Sequence, residues 1–141
     1  NPIASDSGFL FSHETGFDDG STTPATAISA HAESSQVDID DGDAFSFIRR
    51  ILPDVSFDQS TADSPTMDLV VKARNFPGAS YDSTETATVT RSATVPVEQF
   101  TDQVHIRLRG RSVALRAESS SLGVKWKLGT PRIDIRRDGR R

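Results

Sequence analysis

The sequence contains no cysteine among its 141 residues. Without thiols the chain can form neither disulfides nor a thiolate metal site, and this absence fits assembly in a reducing compartment. It also has no apolar run approaching the roughly 18 residues of a membrane-spanning helix, so we expect no membrane partner. Because the first residue is Asn1 rather than methionine, we expect a processed product or a piece of a longer polypeptide.

The motifs of common enzymes and metal sites are missing as well. No serine lies in a Gly-x-Ser-x-Gly elbow, and no glycines have the spacing of a phosphate-binding loop. The histidines, His13, His31 and His105, do not have the spacing of metal ligands. Four carboxylates lie within 38–43, but an EF-hand would need an aspartate at Val37. We predict that the chain is not an enzyme and binds no cofactor or metal.

Charge is distributed unevenly along the chain. The net charge is −4, yet residues 1–70 carry 13 acidic residues against two arginines, whereas residues 71–141 carry 14 basic residues against seven acidic ones. Three interpretations follow: the halves fold against each other, copies of the chain pair head to tail, or the basic half contacts nucleic acid. The candidate acidic interface residues are Asp38, Asp40, Asp41 and Asp43.

Turn-forming residues separate short runs rich in Val, Ile, Phe and Thr, which is the pattern of strands. Helical spacing is confined to one turn near 96–103. The expected strands lie near 9–13, 27–33, 45–52, 67–74, 86–94, 104–109, 112–118, 124–128 and 132–136. This pattern favours an all-β fold, an antiparallel β-sandwich-like module of about eight or nine strands over 44–141. Residues 1–43 are acidic and rich in Ser and Thr, and we expect an extended or loop-rich arm there.

The last four of these strands suggest a more specific arrangement. If Gly110-Arg111 is a two-residue turn, apolar residues on its two sides pair directly, such as Leu108 with Val113. The alternation continues to residue 136 and predicts a four-stranded meander with one apolar and one basic face. The basic face, a candidate surface for DNA or a neighbouring subunit, contains Arg107, Arg109, Arg116, Lys125, Lys127, Arg132 and Arg136. Like charges on neighbouring strands repel, which favours a partner with carboxylates or phosphates.

Three segments, 41–54, 72–78 and 103–141, resemble the C-terminal region of bacteriophage virion structural proteins. The longest begins QVHIRLRGRSVALRAESSSLGVKWKLG and continues TPRIDIRRDGRR. It departs from the family pattern at His105-Ile106. The resemblance implies a tail component of the nozzle, tubular or packaged-DNA-stabilising type.

The resemblance further implies a homo-oligomeric ring around the DNA exit path, in contact with other tail and portal proteins and, non-specifically, with packaged DNA. The implied location is the virion tail, after assembly in the host cytoplasm. A ring agrees with the charge pattern, because a subunit with one acidic and one basic surface can join identical copies head to tail. The alternative is a receptor- or glycan-binding tail module with an exposed aromatic platform, for which the sequence offers one Trp and one Tyr.

Overall fold

The computed structural model describes residues 3–12, 15–76 and 91–139. These residues form strands joined by turns and bends, so the prediction of an all-β fold is confirmed. Their one helical element is a 3-10 turn, Asp40–Gly42, and no helix among them is long and apolar enough to cross a membrane. His13 and the first part of the strand predicted at 86–94 lie outside the described residues.

The described part of the chain contains fourteen strands, and eight of them lie within the described residues of the predicted module, 44–76 and 91–139. In chain order they are β1 (Ile3–Asp6), β2 (Phe9–Ser12), β3 (Asp18–Asp19), β4 (Thr26–Ala27), β5 (Ala30–Glu33), β6 (Val37–Asp38), β7 (Ser46–Leu52), β8 (Val55–Ser56), β9 (Thr66–Arg74), β10 (Arg91–Glu98), β11 (Val104–Gly110), β12 (Ser112–Ser119), β13 (Lys127–Leu128) and β14 (Arg132–Arg137). Five of them, β3, β4, β6, β8 and β13, have two residues each. Two residues are too few to show an alternating pattern, and the sequence therefore did not reveal β3, β6 and β8.

Two larger antiparallel sheets organise these strands. The five-stranded sheet has the order β10-β9-β12-β5, and β6 pairs with β12 along the same edge as β5. The three-stranded sheet has the order β11-β7-β14. Shorter pairings join β1 to β2, β3 to β4 and β8 to β13.

The hydrophobic core draws on both larger sheets. Ile48 and Ile51 of β7 contribute to it from the three-stranded sheet, and Leu69 and Val71 of β9 contribute from the five-stranded sheet. All four side chains are at most 1 % exposed. Full burial of such a side chain stabilises the fold by about 1.5–3 kcal/mol. A core shared by two antiparallel sheets gives the module its sandwich-like character.

The predicted meander of the last four strands is wrong. β11 pairs with β7 in one sheet, whereas β12 pairs with β9 in the other. Gly110-Arg111 is therefore a crossover between the sheets, where the Arg111 N–H donates to the Arg74 carbonyl oxygen over 2.8 Å. Consecutive strands show the same alternation whether their apolar faces lie side by side or meet across a core, so the pattern could not separate the two arrangements.

Two local predictions also fail. The helical turn expected near 96–103 does not form, because β10 continues to Glu98 and is followed by a turn in which the Thr101 N–H donates to the Glu98 carbonyl oxygen. β10 is an edge strand of its sheet, where the missing N–H of Pro96 is tolerated. Of the strand expected at 124–128, only Lys127–Leu128 pairs with another strand.

The described part of the arm contains more strand than expected but little buried surface. β1 and β2 form one small hairpin, and β3 and β4 form another pair. β5 and β6 lie along the free edge of β12. Every residue of β1, β5 and β6 is exposed. These strands of the arm therefore attach at a sheet edge and place no side chain in the core.

Candidate binding face

The outer face of the three-stranded sheet is built in rows across its central strand, β7. Arg50 lies directly opposite His105 of β11 and Asp134 of β14. Residues directly opposite each other in antiparallel strands share a face, with Cβ atoms about 4.5–5.5 Å apart. The neighbouring Ile51 is fully buried in the core, and alternation along the strand then places the Arg50 row on the outer surface.

A second row brings two arginines beside an aromatic ring. Phe47 lies directly opposite Arg109 of β11 and Arg136 of β14. Ser46 and Ile48, on either side of Phe47, are buried, and the Phe47 row therefore faces outward. Arg136 is exposed and Arg109 is half-buried.

A β-bulge between these rows places two consecutive arginines of β7 on the same face. The pairing of β7 shifts against both neighbouring strands between Ile48 and Arg50. Ile48 and Ile51 are both fully buried although they are three residues apart. Arg49, the unpaired residue in the irregular part of the register, is exposed. A bulge redirects side chains in this way because its extra residue has no partner across the ladder.

The bulge also shapes a shallow, open depression on the sheet. Phe47, Arg49, His105 and Arg107 line it. Arg107 lies at the register shift of β11, opposite the irregular part of β7. The two arginines and His105 are exposed, whereas Phe47 is half-buried. The depression thus gathers two guanidinium groups and an imidazole around one aromatic ring.

We call this surface the arginine face. Its guanidinium groups belong to Arg49, Arg50, Arg107, Arg109, Arg132 and Arg136. Two carboxylates pair with them: an oxygen of Asp134 lies 3.7 Å from Nη2 of Arg50, and an oxygen of Asp138 lies 2.5 Å from Nε of Arg109. Within the ranges that the structure describes, the other four arginines have no ion-pair partner. The face therefore retains an excess of positive charge.

Arg109 is held by an ion pair and by a contact with an aromatic ring. Its Nε–H donates to Oδ2 of Asp138 over 2.5 Å, and its Cζ lies 4.0 Å from the centroid of the Phe45 ring. Cζ of Arg111 lies 4.8 Å from the same centroid. A guanidinium group this close to a ring face is attracted by the ring quadrupole. Arg109 therefore has a structural role at the end of β14.

The single basic face predicted from the sequence is wrong, because three of its members lie elsewhere. Arg116 is on β12 in the five-stranded sheet, where it donates to Glu118 over 2.6 Å and to Glu33 over 3.1 Å. The hydrogen bonds to these carboxylates, Glu118 first, raise the pKa of Arg116. Lys127 lies in β13, which pairs with β8, and Lys125 precedes that strand, where its N–H donates to Oγ of Ser60 over 2.9 Å. The remaining four candidates share the arginine face.

The four acidic candidates lie close together in the chain, where the arm joins the module. Asp38 ends β6, Asp40 and Asp41 belong to the 3-10 turn, and Asp43 follows it. Oδ2 of Asp40 lies 3.4 Å from Nη2 of Arg137. This ion pair is formed within one chain, and its base is not one of the seven basic candidates.

Arg49 and Arg50 were not among the basic residues predicted from the sequence. Both lie in residues 1–70, the half of the chain with a net negative charge. A signal for them was present, because Ile48 and Ile51 are three residues apart within a predicted strand. Strict alternation would place one of these isoleucines on the outer face. A break of this kind indicates a bulge, and a bulge sends both intervening residues outward.

No protein-family model matches the chain, and a search of the curated proteins finds no match. Over residues 3–12, 15–76 and 91–139, no three His, Asp or Glu side chains are grouped so as to hold a metal ion. The arginine face is the site that the fold supports best, since it combines unpaired guanidinium groups with an open surface. Guanidinium groups can form two parallel hydrogen bonds with carboxylate or phosphate oxygens.

Proposed function

We propose that this chain is a non-enzymatic structural module of a bacteriophage tail, of the nozzle or tubular type, whose copies form a ring around the DNA exit path. In this proposal the arginine face meets the packaged DNA. The observation that carries it is the set of four arginines, Arg49, Arg107, Arg132 and Arg136, on one sheet face with no ion-pair partner among the described residues. The resemblance of 103–141 to phage virion proteins supplies the tail context, with other tail and portal proteins as neighbours.

DNA phosphates are suited to the arginine face. Guanidinium groups are planar, remain charged at every physiological pH and bind phosphate oxygens through two parallel hydrogen bonds. Neighbouring strands are about 4.8 Å apart, so the rows of the sheet hold the arginines close enough for several to reach one DNA backbone. Each phosphate that they neutralise releases condensed counterions, which favours binding.

The proposed contact is with the DNA backbone rather than with the bases. The major groove admits an α-helix or a two-stranded ribbon, whereas the arginine face belongs to a wider, three-stranded sheet. Phe47, the ring in the depression, is half-buried and offers little surface for stacking. Contacts that are independent of sequence suit a conduit, because specific binding would hold the DNA at one position.

A salt titration of DNA binding tests the proposal. The whole chain has a net charge of −4, and affinity for DNA must therefore come from a local surface. If four phosphates are neutralised, the logarithm of the association constant falls with the logarithm of salt concentration at a slope of about −3.6. Fluorescence anisotropy with duplexes of unrelated sequence measures this slope. Failure to bind at low salt, or an affinity independent of salt, would contradict the proposal.

A further inference from the structure

The arm is held to the module by the edge of one strand. β5 pairs with β12 from Ala30 opposite Ser119 to Glu33 opposite Arg116. β6 continues along the same edge of β12. The residues of both arm strands are exposed. Detaching β5 and β6 would therefore free an edge of β12 without removing any of their side chains from the core.

Polar contacts complete this attachment. Glu33 accepts hydrogen bonds from Nζ of Lys72 over 3.0 Å and from Nη1 of Arg116 over 3.1 Å.

Two further arm residues bond to the module. Gln36 donates to Oγ of Ser112 over 2.6 Å and accepts from Nη1 of Arg74 on β9 over 2.6 Å. Nearer the start of the chain, the carboxylate of Asp18 on β3 accepts a hydrogen bond from the N–H of Gly123 over 2.8 Å. Each bond joins an arm residue to a module residue, so a second copy of the arm can form the same bonds.

The connection between arm and module is a tight turn in an unfavourable conformation. Asp40, Asp41 and Gly42 have φ angles of 50°, 60° and 70°. The left-handed region strains residues that have a Cβ, and here two of three consecutive residues do. The turn is closed by the Gly42 N–H, which donates to the Ile39 carbonyl oxygen over 3.0 Å. Four aspartates lie within residues 38–43, and their like charges repel.

We infer that the arm exchanges between copies of this chain: β5 and β6 of one copy add to the β12 edge of the next, with residues 39–43 extended as the hinge. The inference deepens the ring in the proposed function and rests on it. The arm keeps its strand pairing and polar contacts when they are made to another copy. Extension relieves the left-handed residues. It costs the Asp40–Arg137 ion pair, the hydrogen bond from the Ile39 N–H to the Arg111 carbonyl oxygen and the packing of Ile39 against the core. Short strained hinges favour exchange of this kind.

Exchange also gives the contact a direction. The donor surface is the arm and the acceptor surface is β12, so each copy uses one surface toward each neighbour. Such head-to-tail contacts close into a ring when the rotation between copies allows it. The arginine face lies on the other sheet and takes no part in the exchange, which leaves it open to DNA.

Crosslinking between two differently marked chains tests the inference. One chain carries His31→Cys, and the other carries Glu118→Cys and a size tag. These positions lie directly opposite each other on β5 and β12, and the chain has no other cysteine. The two chains are co-expressed and treated with a short thiol-specific crosslinker. Exchange predicts a covalent product that contains one chain of each kind. The matched control replaces His31→Cys with Asp68→Cys, opposite Glu118 on β9 within the module, and should give no such product.

Two substitutions at one hinge position sharpen this test. Asp41→Pro fixes φ near −65°, excludes the closed turn and should raise the yield of the mixed product several-fold. Asp41→Gly removes the same charge but relieves the strain of the closed turn, and should lower the yield. Light scattering gives the mass of the same samples. An oligomer without mixed product, even with Asp41→Pro, would overturn exchange and leave the ring standing, whereas a monomer would overturn both.

Discussion

Arg49 and Arg50 are neighbours in the chain, and both belong to the outer face of β7. In a regular strand consecutive side chains point to opposite faces, and one of the two arginines would face the core. The bulge avoids an unpaired buried charge and adds a guanidinium group to the arginine face instead. Bulges are common where a sheet must redirect a side chain toward a functional surface. In our account the irregularity of β7 is thus part of the binding face.

The crossover at Gly110 should not tolerate a larger residue. A Cβ at Gly110 would lie 2.8 Å from Cβ of Ala73 and 3.0 Å from the Arg74 carbonyl oxygen. We expect Gly110→Ala to lower the free energy of unfolding by about 1–3 kcal/mol, as overpacking does. The matched substitution Gly16→Ala meets no atom within 4 Å and should change it by less than about 0.5 kcal/mol. Urea denaturation compares the two, and equal effects would speak against the crossover.

The contacts of Arg109 should make it a stabilising residue, unlike Arg107 in the same strand. Arg109→Gln removes the ion pair with Asp138 and the contact with the Phe45 ring. Since both are partly exposed to solvent, we expect a loss of about 1 kcal/mol in the free energy of unfolding. Arg107→Gln removes an exposed charge and should cost less than about 0.5 kcal/mol. Similar losses in the two variants, measured by urea denaturation, would remove the structural role of Arg109.

Attachment of the arm should weaken in acid. Hydrogen bonds from Lys72, first, and from Arg116 lower the pKa of Glu33 below its ordinary value, which is about 4.3. Ionised Glu33 therefore stabilises the folded chain at every pH above the pKa of Glu33 in the unfolded chain. This contribution disappears as the pH falls through the lower pKa of Glu33 in the folded chain. The free energy of unfolding should be higher in the wild type than in Glu33→Gln at neutral pH, and the difference should shrink in acid. A difference that stays constant would show that Glu33 does not stabilise the arm.

Much of the fold could be predicted from local patterns, but not how the strands meet. The runs around β7, β9, β11 and β12 alternate over enough residues to identify them as strands. Their pairing depends on contacts between distant residues, which alternation does not encode. A hairpin turn at Gly110 and a crossover at Gly110 would show the same pattern of apolar residues in the sequence. The two arrangements differ in the close approach of Gly110 to β9, which is visible only in the structure.

The placement of the candidate residues depends on strand pairing for the same reason. Arg107, Arg109, Arg132 and Arg136 share one face because β11 and β14 both flank β7; that this face is a binding site stays a prediction. Arg116 was included wrongly, since the face that it occupies depends on which sheet β12 joins. Arg49 and Arg50 were left out because charge was counted along the sequence, whereas β7 brings this part of the acidic half between two basic strands.

The central claim, that the arginine face binds DNA, is tested most directly by two double variants that lose the same net charge. Arg49→Ala with Arg107→Ala removes two guanidinium groups from the depression. Arg91→Ala with Lys127→Ala removes two exposed positive charges from β10 and β13. The measurement is the salt dependence of DNA binding for both. We predict that the first pair weakens binding and makes the slope shallower by about 1.8, whereas the second leaves the slope unchanged. Equal changes in the two variants would contradict the account.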